Sequence, residues 1–149
     1  MREHLAEQGL PDIEFTKIRQ FFDHPKFVAE MAAAVTEVWG QVPEEKKEST
    51  RLLFTAHSVP VAHDNVGGAE GDKNLYSRQV AEASRLVAAQ AGISDYDLVW
   101  QSRSGNPRTP WLEPDIVDHT TDIHHNEGVD TVVVLSLIHI SEPTRPRLI

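Results

Sequence analysis

Three short apolar runs limit what this chain can fold into: "RLLFTAHS" at residues 51–58, "YDLVWQS" at 96–102 and "DTVVVL" at 130–135. Each is rich in aliphatic, β-branched or aromatic side chains and is bounded by charge, proline or glycine, the pattern of a strand buried on both faces. Helical patterns separate them. In "PKFVAEMAAAVTEVWG", Pro25 suits the first turn, Phe27, Met31, Val35 and Val38 recur at helical spacing, and Gly40 can end the element. In "NLYSRQVAEASRLVAAQAG", Asn74 suits the N-cap, Leu75, Val80, Leu86 and Val87 lie near one face, and Gly92 suits the C-cap. A third helix, "DIVDHTTDIHHNEG", has Asp115 near its start and Gly128 after its end. Between these elements, "VPEEKKEST", "VAHDNVGGAEGDKN" and "RSGNPRTPWLEP" read as loops.

Helix and strand therefore alternate, which implies an α/β fold: an open parallel sheet with helices on both faces. Open sheets of this kind bind ligands beyond the carboxyl ends of their strands. His57 and Ser58 stand at one such end, and Gln101 to Ser104 at the next. The chain has 149 residues, the size of one domain, and no repeat or internal boundary stands out.

Charge and composition narrow the partners. With 14 basic and 23 acidic residues the formal net charge is −9, which argues against a nucleic-acid surface and against anionic membranes. The chain has no cysteine, so it supplies no disulfide, thiolate metal site or iron–sulfur ligand. The N-terminal "MREHLAEQGLPD" has no signal-peptide core, and "TVVVLSLIHI" is too short to span a bilayer, so a cytoplasmic location is expected.

Several motifs admit both a chemical and a structural reading. A single histidine at a strand end is more often structural than chemical, but a neutral imidazole facing a cleft can accept a proton or ligate a metal near pH 7. "SRSGN" lacks the glycine that precedes a nucleophilic serine in a strand–turn–helix elbow, so it is no hydrolase signature. "VGGAEGDKN" fits neither common phosphate-binding glycine pattern. His119 and His124 are five residues apart, and with Asp118, Asp122, His125 and Glu127 nearby they read as a solvated helix face rather than a zinc site. Trp100 falls in a core strand, whereas Trp111 falls in a proline-rich loop at the ligand end, where it suits the wall of a pocket for a flat ligand.

"LLFTAHSVP" and "LVWQSRSGNPRTPWLEP", with "FFDHPKFV" and "NLYSRQVAEASRLV" in order around them, strongly resemble the ferrochelatase family, and the actinobacterial coproporphyrin type most of all. The likeness runs from about Ile13 to Leu135. It implies a chelatase-like architecture of two similar Rossmann-like half domains with the porphyrin between them. The implied reaction inserts ferrous iron, a substrate, into a porphyrin carboxylate during haem biosynthesis. On this resemblance His57 matches the residue that ligates the metal or accepts a pyrrole proton. Trp111 matches a tryptophan of the porphyrin pocket, and Ser102 lies in a loop near the same cleft. A chelatase for another metal or tetrapyrrole, and a porphyrin- or metal-binding module without turnover, are the alternatives.

The sequence departs from the family at three places. It begins near the middle of a ferrochelatase. The loop before "NLYSRQV" lacks the cysteine with which some actinobacterial relatives bind an iron–sulfur cluster. After "DTVVVL" the family's block with a glutamate facing the histidine is replaced by "SLIHISEPTRPRLI". The expected organisation is thus a truncated fold: residues 1–135 from the middle of a ferrochelatase, mainly its second α/β domain, and 136–149 a non-native tail whose "LSLIHISEPTR" resembles translated sequencing-adapter DNA.

Overall fold

A computed structural model describes residues 16, 18–68, 72–104, 106 and 108–137. Helix α1 spans Pro25–Gln41, a 3-10 segment follows at Glu44–Ser49, and strand β1 runs Thr50–His57. A short helix α2 covers Val61–Asn65 and α3 covers Leu75–Ala91; then come β2 at Tyr96–Gln101, α4 at Ile116–Glu127 and β3 at Thr131–Ser136. The sheet is wholly parallel, in the order β2-β1-β3. The α/β architecture expected from the alternation is the one observed.

The central strand is buried along nearly its whole length because helices cover both faces. Leu52 and Phe54 pack on one face with Val28, Ala32 and Val35 of α1 and Val87 and Ala88 of α3. Leu53 and Val99 pack on the other with Ile123 of α4 and with Val129. This two-sided burial explains why β1 reads as a continuous apolar run rather than an alternating one. Tyr96 meets Phe54 edge-on, with ring centroids 5.3 Å apart, closing the β1–β2 side of the first face.

Several local expectations need correction. The stripe on α1 is rotated: Val28, Ala32 and Val35 are buried, Phe27 and Met31 are half-buried, and Val38 is 45% exposed. Gly40 does not end α1, which continues to Gln41 with Val42 as its C-cap. The acidic "VPEEKKEST" stretch contains the 3-10 turns, and the start of the long polar loop is α2. Asn74 does occupy the N-cap of α3, but it adopts a left-handed backbone (φ 58°) and its side chain caps nothing. Gly92 and Gly128 end their helices at φ 71° and 74°, the conformation for which glycine is favoured there. Asp115 caps α4 by accepting a hydrogen bond from the Val117 amide.

The connections leaving adjacent strands diverge. From β1 the chain passes to α3 on one face, and from β2 it passes to α4 on the other. A crevice at the carboxyl ends of such a strand pair is where open α/β sheets place their ligands.

Candidate functional site

His57 is the last residue of β1, exposed, and in register with Gln101, the last residue of β2. Side chains of register partners share a face, so His57 and Gln101 project on the α4 side, together with Thr55 and its β3 partner Ser136. Gln101 Nε2 lies 3.4 Å from Ser136 Oγ. Among the described residues no side-chain partner engages the His57 imidazole, which leaves both ring nitrogens open for a ligand.

The backbone around His57 is held tightly. The Ser58 amide donates to the Gln101 carbonyl at 2.7 Å, prolonging the β1–β2 ladder by one bond. The buried Ser58 hydroxyl donates to the Leu112 carbonyl at 2.9 Å. The Leu112 amide donates to the Val59 carbonyl and the Val61 amide to the Pro110 carbonyl, both at 3.0 Å. These bonds flank an antiparallel bridge between Pro60 and Trp111. The loop after β1 is thereby stitched to the "TPWLEP" loop, and half-buried Trp111 is brought beside the strand end carrying His57. The Trp100 amide donates to the Pro114 carbonyl at 2.9 Å, anchoring the far end of that loop; the Glu113–Pro114 bond is cis.

From the other side, Tyr76 Oη donates to the His57 carbonyl at 2.8 Å, and its ring lies 5.8 Å from that of buried Trp100. Burial, aided by the Asp64 carboxylate, pushes the Tyr76 phenol above its ordinary pKa, so it stays protonated as the donor. Ser102 follows directly on β2, exposed, with a left-handed backbone at φ 63°. It therefore turns the chain out of the sheet beside His57. Arg103 next to it reaches Glu113 at 3.7 Å across the same loop.

The three residues singled out from the sequence thus belong to one end of the sheet: His57 and Ser102 on adjacent strand ends, Trp111 on the loop stitched to them. The histidines of α4 do not join them. His119 Nε2 lies 3.0 Å from Asp97 Oδ2, and His124 Nδ1 lies 2.8 Å from the Val129 carbonyl. The reading of this helix as a solvated face holds for His125, which is exposed, and fails for His119, which faces the sheet. Among the described residues no three His, Cys, Asp or Glu side chains converge as a metal site. No described helix is long and apolar enough to cross a membrane.

The missed residue is Asp64. It is 2% exposed, and its carboxylate accepts hydrogen bonds from Ser77 Oγ at 2.6 Å, the Ser77 amide at 3.1 Å and Asn74 Nδ2 at 3.1 Å. Burial pushes its pKa up, but the bonds from Ser77 and Asn74 together outweigh that and hold the carboxyl below its ordinary range.

A parallel α/β sheet thus carries an exposed imidazole at the carboxyl ends of two strands whose connections diverge, beside the loop that bears Trp111. Residues 1–143 match the ferrochelatase family model, and the chain belongs to the ferrochelatase family. It is 51% identical over 142 residues to the coproporphyrin III ferrochelatase of Corynebacterium glutamicum strain R, covering 95% of this chain and 38% of that protein. It is 52% identical over 128 residues to the protein of the same name from Nocardia farcinica, covering 85% and 36%. The Mycolicibacterium smegmatis protein of that name is 48% identical over 137 residues, covering 92% and 39%. The chain spans less than two-fifths of the length of these relatives.

Proposed function

We propose that the full-length protein carrying this segment inserts ferrous iron into a porphyrin carboxylate, coproporphyrin III in the first place and protoporphyrin IX as the competing substrate. The observation that carries the reading is His57: an exposed imidazole, without a side-chain partner among the described residues, on a backbone fixed from both sides. Metallation must remove two pyrrole protons while Fe²⁺ trades water for ring nitrogens. A neutral imidazole on a rigid strand end takes up such a proton or hands over the metal. General-base assistance of this kind is typically worth about 10²–10⁴-fold. In this reading Trp111 lines the macrocycle pocket, and Ser102 lies at its rim.

Names of the relatives support the substrate, and the reading gives residues 136–149 no part in the chemistry, as a tail foreign to the native protein. Genomic sequence across the codons for Val134 to Ser136 tests that assignment. The functional test supplies ferrous iron and either porphyrin to the full-length protein and follows metalloporphyrin formation. Turnover with coproporphyrin III above protoporphyrin IX is expected. Porphyrin binding without turnover would replace the enzyme by a binding module, and turnover only with another divalent metal would replace iron.

A further inference from the structure

The short helix after β1 is joined to the start of α3 by the buried Asp64 carboxylate and, beside it, by Asn65 Oδ1, which accepts from Asn74 Nδ2 at 2.9 Å. Helix α3 begins at Leu75, and its third residue, Ser77, has an amide that no intrahelical carbonyl can satisfy. The usual partner is the N-cap side chain, but Asn74 does not serve. Asp64, ten residues upstream of Asn74, takes its place: Oδ1 accepts from the Ser77 amide, and Oδ2 accepts from the Ser77 hydroxyl and from Asn74 Nδ2. The Asp64 carbonyl also accepts from the Asn74 and Gly67 amides, both at 3.0 Å, which closes the loop between them. A carboxylate at a helix N-terminus is favoured by the aligned peptide dipoles as well.

The consequence reaches His57 through Tyr76, which lies between Leu75 and Ser77 in the turn that Asp64 caps. Tyr76 is the side chain that holds the His57 carbonyl and leans on Trp100. We infer that Asp64 is a positioning residue for His57: by capping the first turn of α3 it fixes Tyr76, and Tyr76 fixes the backbone from which the imidazole projects. The inference rests on the reading that His57 performs metal insertion. Its geometric half stands on the hydrogen bonds alone.

The test uses the full-length protein with three variants: Asp64→Asn, Tyr76→Phe and Ser77→Ala. Two readouts are taken: steady-state iron insertion into coproporphyrin III, and the NMR signals of the histidine rings. Misplacing a reacting group by about an ångström can cost up to about 10²-fold. Asp64→Asn and Tyr76→Phe are therefore each expected to lower kcat by about tenfold, with KM for the porphyrin within about twofold. Because they break one chain of contacts, the double variant should be little worse than the weaker single one. The His57 ring signal should broaden or shift in both variants while that of His124, on the far helix, stays in place. Ser77→Ala, which removes one hydroxyl and keeps the amide bond, covers the case in which Asp64→Asn does not fold, and should show the same pattern more weakly. An unchanged His57 signal and kcat in folded variants would overturn the inference. So would a double variant whose losses multiply. If the unmutated protein inserts no metal, the proposed function fails, and the ring signals still decide whether Asp64 positions His57.

Discussion

Strands β1 and β2 have very different ends. At the amino end, Arg51 is nearly buried and its guanidinium reaches Asp97 at 2.9 Å, Glu127 at 2.9 Å and Asp95 at 3.3 Å, while His119 shares Asp97. Burial pulls the Arg51 pKa down, but the surrounding carboxylates outweigh it and raise the pKa overall, so the charge is secure. At the carboxyl end the backbone is equally well bonded, yet the side chains of His57 and Ser102 stand exposed. One end spends its polar side chains on each other. The other fixes its main chain and leaves these side chains exposed. On the proposed function, chemistry belongs to the carboxyl end, and stability to the amino end and the core between.

Stability measurements can break that contrast, and the core sets their upper bound. Trp100→Ala, at 4% exposure, should cost about 3–5 kcal/mol of unfolding free energy in chemical denaturation. Trp111→Ala, at the half-buried bridge, should cost clearly less and instead weaken porphyrin binding in a fluorescence-quenching titration. Equal losses of stability with unchanged affinity would mean that the two tryptophans have been assigned the wrong way round.

Arg51→Met comes next. It strands Asp97 beside His119, but Asp95 and Glu127 lie open to solvent, which limits the penalty to about 1–2 kcal/mol. Turnover of the full-length protein should hold within about twofold if the amino end is structural. A large loss of turnover at unchanged stability would move function to the wrong end of the sheet.

Asp64 sharpens the comparison through pH. Its folded pKa lies below the ordinary carboxylate value near 3.9, so its stabilising effect is complete above that pH and fades as pH falls through the folded pKa. The native chain should be more stable than Asp64→Asn at pH 7, with the difference shrinking below about pH 4. A constant difference down to pH 2 would show that the charge is not what matters. The smallest core effect is expected at Thr55, whose buried hydroxyl has no hydrogen-bond partner among the described residues. Thr55→Val should be neutral or stabilising by up to about 1 kcal/mol, since it removes an unsatisfied group. Destabilisation would reveal a hidden partner.

What the sequence made legible follows from range. The three strands declared themselves as β-rich apolar runs, and Asp115, Gly92 and Gly128 fall at helix ends where local rules place them. His57, Ser102 and Trp111 could be placed at the carboxyl end of the sheet because parallel strands bring their carboxyl ends together. The failures are long-range. Asp64 caps a helix across a loop, so the local rule pointed to Asn74. Arg51, Asp97 and His119 meet only once β1, β2 and α4 are stacked, and nothing in the spacing of the α4 histidines signals it. On α1 Val35 lies in the core as its spacing implies, while Val28 and Ala32 are buried more deeply than their neighbours Phe27 and Met31. A short helix after Pro60 could have been suspected from the proline alone, but not its buried carboxylate.

In the proposed function His57 is chemically necessary and structurally dispensable. The most direct measurement compares His57→Ala with the unmutated full-length protein for iron insertion, porphyrin affinity and unfolding free energy in the same buffer. Turnover should fall at least about 10²-fold. Porphyrin affinity should stay within about threefold, and stability within about 0.5 kcal/mol, as for an exposed side chain with no partner among the described residues. Retention of more than about a tenth of the turnover, or a loss of activity fully matched by a loss of folded protein, would contradict the account.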